Sequence, residues 1–139
     1  YSLRYVEKIF LPDKEVETKE ITYDQKNLIM TRGNFKRKIL PNTQDPLSAI
    51  FYLRTQDFDI SKSFSINTIT KEENYGININ VIKKSDGIFL LKSTVERQDK
   101  TRQVGTFYFW ITDDLRRLPI LIKGWTKAGL ITARLVEIR

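Results

Sequence analysis

The sequence predicts a mainly β protein, an antiparallel meander curled into an incomplete β-barrel with one short helix packed in its concave face. Short segments with alternating apolar residues recur at roughly 10-residue spacing between polar turns, which is typical of antiparallel sheets. A single stretch, Asp45 to Arg54, carries helix-starting residues instead. No stretch offers the crossover helices that parallel strands require. These three observations together favour a meander over a parallel α/β fold.

The alternating pattern predicts about nine strands. They are expected over residues 2–10, 15–23, 28–31, 61–70, 75–84, 88–97, 106–112, 119–123 and 130–138. Ser85-Asp86-Gly87 is a strong hairpin signal, because glycine readily adopts a positive φ. The strand over 106–112 is the most apolar, with Phe107 and Phe109 on one face and Tyr108 and Trp110 on the other. The basic run over 31–38 is predicted to be a loop.

The predicted helix has clear start and end signals. Asp45 is a good N-cap, because its carboxylate can accept the free N–H groups of the first turn. Pro46 then occupies the first helical position, where its missing N–H does no harm. Arg54 lies near the C-terminal end, where a positive charge favours the helix dipole. An apolar stripe of Leu47, Ile50 and Phe51 is expected to face the concave side of the sheet.

Composition bounds the function. The 139 residues, 40% hydrophobic and 12% aromatic, suffice for one domain over residues 1–139. The chain has no cysteine and no histidine. Disulfides, zinc sites built on these residues and histidine-based catalytic triads are therefore excluded within it. The neighbouring pairs Asp113–Asp114 and Glu72–Glu73 point to opposite faces if they lie on strands. We predict no catalytic residue, metal or cofactor.

The charge balance favours anionic partners. The net charge is +7, from 24 lysines and arginines against 17 acidic residues. Long-range attraction could act on nucleic acid, an anionic membrane surface or an acidic protein, although the dispersed charges also fit a solvated basic surface. The densest basic run, over 31–38, surrounds Phe35 with cations, as a nucleic-acid site would. A solvated connection is the favoured interpretation, and nucleic acid is not an expected partner.

The two-sided aromatic strand leaves alternatives open. Either a second layer of structure covers the face that carries Tyr108 and Trp110, or one of the two aromatic rows lines a cavity or an interaction patch. An ordinary core is a further interpretation of the same pattern. Candidate ligand contacts are Leu47, Phe51, Tyr52, Phe109, Trp110 and Trp125.

Two segments resemble the signatures of a bacterial family of unknown function, DUF3108. Asp45 to Arg54 (DPLSAIFYLR), preceded by Leu40-Pro41, is similar to the first signature. Phe109 to Pro119 (FWITDDLRRLP) is similar to the second, an apolar strand followed by an aspartate, an arginine pair and a proline. A closing hairpin around Gly129 also fits. The resemblance extends over most of the chain, from residue 20 to residue 139.

The resemblance implies an exported protein of the periplasm or cell envelope of a Gram-negative-type bacterium. The chain would then be a mature or trimmed fragment. The family's fold is similar to lipoprotein carriers of the LolA and LolB type, which hold acyl chains in an apolar cleft. No catalytic residue is implied. Within the signatures Asp45 and Pro46 keep their capping roles, and Pro119 begins a strand. Arg54, Asp114 and Arg117 are candidate partners for a structural ion pair.

We therefore expect a non-enzymatic cell-envelope binding protein that holds an apolar ligand or lipid moiety between helix and sheet. The alternative is a structural or assembly module that docks on another envelope protein through a sheet edge or an aromatic face.

Overall fold

The computed structural model describes residues 3–10, 12–70, 72–99 and 102–138 as ten strands and one helix. The first sheet contains β1 (Arg4–Ile9), β2 (Glu17–Asp24), β3 (Ile29–Arg32) and β4 (Phe35–Lys38). The helix α1 (Pro46–Arg54) follows. The second sheet contains β5 (Ser63–Thr70), β6 (Glu73–Ser85), β7 (Ile88–Arg97), β8 (Arg102–Thr112), β9 (Pro119–Thr126) and β10 (Gly129–Arg134).

Both sheets are antiparallel meanders, in which every strand pairs with its neighbours along the chain. Within the described ranges they do not close into a barrel, and α1 joins the four-stranded sheet to the six-stranded one. The mainly β, antiparallel and incomplete-barrel prediction is confirmed. The first predicted strand began at Ser2, which lies outside the described residues. No helix in the described ranges combines the length and apolarity needed to cross a membrane.

The six-stranded sheet is irregular at three points along its ladders. Register shifts occur next to Val81 in β6, Val95 in β7 and Trp110 in β8. Such bulges bend a strand and increase its twist, which helps to give the sheet an inner face towards α1 and an outer face away from it. The predicted hairpin between β6 and β7 is present, with positive φ at Asp86 and Gly87.

The basic run is a hairpin rather than the predicted loop. Arg32 pairs with Phe35 across a tight turn whose Gly33 has a φ of +57°. Strand β4 was not predicted because its charged residues show no alternation of apolar and polar side chains. Its backbone hydrogen bonds with β3 form regardless of side-chain polarity. Arg37 of β4 is held by an ion pair with Glu73, at 2.9 Å.

The prediction that Leu47 and Phe51 face inward is wrong. Their side chains are 57% and 54% exposed, whereas Ala49 and Leu53 are buried and Ile50 is half-buried. The helix carries two overlapping apolar stripes, and helical spacing alone cannot choose between them. The choice is made by the segment before the helix, which fixes the rotation of α1 about its axis.

That segment is attached to the edge of the six-stranded sheet. The Gln44 N–H donates to the carbonyl of Asn67 at 2.8 Å, and the Thr68 hydroxyl donates to the carbonyl of Gln44 at 2.9 Å. Asp45 follows, only 4% exposed, and its Oδ1 accepts the N–H groups of Leu47 and Ser48. The first turn of α1 is thereby fixed against β5.

Two apolar cores result. The larger contains Ala49, Leu53, Phe58, Ile66, Ile79, Val81, Phe89, Leu91 and Ile111. The smaller contains Tyr23, Met30 and Ile39 of the first sheet and its connection, with Ile69 of β5. Ile66 and Ile69 point to opposite faces of β5, so this strand contacts the helix on one side and the four-stranded sheet on the other.

We expect Asp45→Ala to lower the free energy of unfolding by about 1–2 kcal/mol, because it removes the acceptor for two helix N–H groups. Asp45→Asn is the matched control, since asparagine is an equally good N-cap, and it should retain most of the stability. Urea unfolding followed by circular dichroism measures both. Equal stability of the alanine and asparagine variants would show that the cap is not important.

Candidate functional site

A cavity of about 660 Å³ lies between α1 and the inner face of the six-stranded sheet. Four helix residues on one side, and parts of β5 to β9 with the turn that follows β9 on the other, enclose it. The lining consists of Pro46, Ala49, Ile50, Leu53, Ile66, Thr68, Thr70, Tyr75, Ile77, Ile79, Val95, Val104, Gly105, Phe107, Phe109, Thr126, Lys127 and Ala128. Its volume falls in the range of small-molecule sites, roughly 300–1,000 Å³.

The lining is chemically uneven. Aliphatic and aromatic side chains form most of it, and threonine hydroxyls are placed towards the strand ends. Lys127, in the turn between β9 and β10, is the one charged side chain among the described lining residues. A wall with so few polar partners suits an apolar guest better than ordered water.

One end of the inner face is closed. Phe58, which follows α1, lies 5.3 Å from the ring of Phe89 in an edge contact and 6.3 Å from the ring of Phe64 in a stacked one. The Arg117 guanidinium lies 4.8 Å from the centre of the Phe58 ring. These four residues, which we call the aromatic plug, fill the space beneath the C-terminal half of the helix.

The other end is left open by the position of Phe107. A Cβ placed on Gly124 would overlap the ring of Phe107, so this ring lies against the backbone of β9 and not across the cavity. The same ring also lies beside Gly105, where a Cβ would be 3.2 Å from it. The rim here consists of strand ends and turns, including Thr70, Tyr75 and Lys127.

Of the six predicted ligand contacts, Phe109 lines the cavity and the other five do not. Leu47, Phe51 and Tyr52 lie on the exposed side of α1. Trp110 and Trp125 lie on the outer face, because strand alternation places them opposite to Phe109 and Gly124. Sequence reasoning missed Ile66, Ile77 and Val95 as residues that line the cavity. Their alternation marked an apolar face, but only the rotation of α1 decides which part of that face stays uncovered.

The chain matches a family model described as "Protein of unknown function (DUF3108)" over residues 7–136. The chain belongs to this family. No curated protein and no solved structure gives a significant match. The matched range includes the helix, the whole lining of the cavity and every strand except the first three residues of β1.

In this DUF3108 protein Arg54 does not form the predicted ion pair. Its Nε donates to the backbone carbonyls of Arg116 and Arg117, at 3.2 and 3.1 Å. Asp114 instead organises the turn that presents these carbonyls, accepting the Thr112 hydroxyl at 2.9 Å and the Arg116 N–H at 3.0 Å. These hydrogen bonds, that from Thr112 above all, hold the pKa of Asp114 below its usual value. Because the Asp114 carboxylate accepts hydrogen bonds from within its own turn, Arg54 bonds to the backbone carbonyls of that turn and not to Asp114.

Glu72, Glu73 and Asp113, from the two pairs of neighbouring acidic residues in this DUF3108 chain, each contact basic side chains. Glu73 contacts Arg37 at 2.9 Å and Arg97 at 2.8 Å, and Glu72 contacts Arg32. Asp113 contacts Lys84, with Arg117 at 3.9 Å. Two of the four cations of the basic run thus attach the β3–β4 hairpin to the turn between β5 and β6.

We expect Arg54→Ala to lower the free energy of unfolding by about 1 kcal/mol, because it removes charged hydrogen bonds that tie α1 to the β8–β9 turn. Arg116→Ala is the control. It deletes an exposed ion pair with Asp114 and keeps the backbone carbonyl, so its effect should stay below ~0.5 kcal/mol. Chemical denaturation of both variants provides the comparison. An Arg54→Ala protein within ~0.5 kcal/mol of the wild type would contradict this role.

Proposed function

We propose that this protein is a non-enzymatic binding protein of the bacterial cell envelope that holds an apolar ligand, such as an acyl chain, between α1 and the six-stranded sheet. The supporting observation is the cavity of about 660 Å³ with its largely apolar lining. At about 30 Å³ per molecule this space would take ~20 waters, which would find few hydrogen-bonding partners. An apolar guest removes that penalty and gains ~0.8 kcal/mol for each CH₂ that it buries.

The shape of the cavity supports an elongated guest. At one end the lining residues Leu53 and Ile79 belong to the packed core that also contains Phe58 and Phe89 of the aromatic plug, and the strand ends around Thr70 and Tyr75 leave the other end open. A chain would enter tail first and stop at the plug. Lys127 on the rim would then lie beside a carboxylate or phosphate head group, where its ammonium can balance the charge.

A location in the periplasm or cell envelope belongs to the same proposal. It rests on what the family resemblance implies, a fold similar to carriers of the LolA and LolB type, in which a helix fills the concave side of an open antiparallel sheet. A carrier in that compartment would shield an acyl chain from water between membranes. The single helix, the two open sheets and the apolar cavity are consistent with such a role.

The proposal is tested by displacement of a fluorescent fatty acid. The wild type should bind it and release it to unlabelled fatty acid. Thr70→Trp and Val95→Trp, which fill the cavity from the rim, should weaken binding at least about tenfold, or about 1.4 kcal/mol. Thr22→Trp, on the exposed side of β2, is the matched control and should bind as the wild type does. A folded wild type that binds no fatty acid, or binding unchanged in both rim variants, would refute the proposal.

A second candidate is an assembly module, which the free edge of the six-stranded sheet favours. All six residues of β10 are exposed, including Leu130 and Ile131, whereas the opposite edge at β5 is paired with Gln44. An exposed edge strand is a template for a strand of another protein.

This candidate predicts that a photo-cross-linker attached at Thr132→Cys captures one envelope protein in the native cell. The chain has no natural cysteine, so attachment is unique. The same probe at Thr22→Cys should not capture it. Equal capture at both positions would argue against docking along β10.

A further inference from the structure

The outer face of the six-stranded sheet carries a surface of aromatic and basic side chains that do not line the cavity. Tyr108 pairs with Lys123, Trp110 pairs with Leu121, and Leu130 pairs with Trp125, all across neighbouring strands. Lys92 of β7 pairs with Tyr108 from the other side. We call these residues the outer patch: Lys92, Tyr108, Trp110, Leu121, Lys123, Trp125 and Leu130.

The rings of the outer patch are in contact with one another. The Tyr108 ring centre lies 5.7 Å from that of Trp125 in an edge contact and 6.4 Å from that of Trp110. The Lys123 ammonium lies 5.9 Å from the Trp110 ring centre. Trp125 is nevertheless 50% exposed and Leu130 is 59% exposed. The result is a continuous and partly uncovered aromatic surface.

This composition is confined to one half of the outer face. On β5 and β6 the outward position of Ile69 is buried against the four-stranded sheet, and polar residues occupy the outward positions beside it, with Ser65 hydrogen-bonded to Asn78 and Asn80 exposed. The aromatic character therefore does not follow from sheet formation in general. The polar half needs no partner, and the outer patch is where the sheet offers apolar surface to one.

The charge of the outer patch is positive. Three rows of paired residues cross strands β7, β8, β9 and β10 in this surface. They run from Leu90 to Arg134, from Lys92 to Thr132 and from Thr94 to Leu130. Among the described residues of these rows there is no aspartate or glutamate, and the nearest acidic residue along β7 is Glu96, beyond the last row. The chain as a whole carries a net charge of +7.

We propose that the outer patch seats the protein on an anionic lipid surface. Tryptophan and tyrosine rings favour the interface between head groups and acyl chains, since they are apolar with one polar atom. Lysine side chains can lay their apolar stems beside the rings while the ammonium groups meet lipid phosphates. A nucleic acid or an acidic protein would satisfy the cations without explaining the exposed Leu130 beside Trp125.

The geometry separates this surface from the cavity. Phe107 and Phe109 point to the inner face, whereas Tyr108 and Trp110 point to the outer one. A membrane against the outer patch would leave the cavity rim uncovered. The proposal therefore stands without the proposed ligand-binding function and can fail independently of it.

The test uses the intrinsic fluorescence of the protein, because both tryptophans of the chain lie in the outer patch. Vesicles of phosphatidylcholine with about 30% phosphatidylglycerol should sediment the protein and shift its emission to shorter wavelength. Pure phosphatidylcholine vesicles should do neither. Raising the salt to about 0.5 M should weaken binding several-fold by screening.

Variants locate the contact. Lys92→Glu with Lys123→Glu should weaken vesicle binding at least about tenfold. Lys14→Glu with Lys26→Glu changes the net charge equally, in turns of the first sheet, and should leave it within about twofold of the wild type. Trp125→Ser should weaken binding at either salt concentration. Circular dichroism confirms that each variant is folded.

Three outcomes would overturn the proposal. One is that anionic vesicles do not sediment the wild type at low salt. Another is that Lys36→Glu, in the basic hairpin, abolishes binding while the Lys92 and Lys123 variant binds normally. The third is an emission shift that depends on protein concentration without vesicles, which would mean that a second copy of the chain covers the outer patch.

Discussion

The buried carboxylate of Asp45 lies where the three parts of the structure meet. It caps α1, it follows directly on the Gln44 pairing with β5, and its charge reaches the four-stranded sheet. Burial raises the pKa of Tyr23, and the charge of Asp45 raises it further. The orientation of the helix over the sheet depends on this junction. That orientation in turn decides which apolar side chains of the helix lie in the core and which are exposed to solvent.

The cavity follows from the short length of the helix that this junction holds. Nine residues of α1 extend ~14 Å, whereas the 13 residues of β6 extend ~43 Å at full length. The helix and Phe58 cover the end of the inner face near the β8–β9 turn, where Arg54 and Arg117 hold the contact. In the part of the chain that the structure describes, no helix lies above the opposite end. A single short helix on a bent sheet thus gives one packed end and one uncovered end.

Local signals explain what could be predicted from the sequence. The helix bounds, the Asp86-Gly87 hairpin and the strand β7 are encoded by neighbouring residues, through capping, positive φ and alternation. The placement of Phe109 and Trp110 on opposite faces of β8 also follows from alternation. These features need no knowledge of the rest of the chain.

Tertiary constraints explain what could not be predicted. The rotation of α1 depends on Gln44 reaching β5, so Leu47 and Phe51 were assigned to the wrong side. The partner of Arg54 depends on a turn in which Asp114 is already satisfied by Thr112. The sequence pattern also offers Trp110 and Trp125 as candidate contacts, although both lie on the outer face, because alternation separates two faces but does not say which of them a helix covers.

The central claim is that the uncovered end of the inner face admits an apolar chain. Methyl NMR of ¹³C-labelled protein titrated with lauric acid tests it most directly. The methyl resonances of Ile66, Ile77 and Val95 should shift and show contacts to ligand protons, and those of Ile21 and Ile29 in the four-stranded sheet should not. Unshifted lining methyl groups at saturating ligand, or equal shifts in both sets, would contradict it.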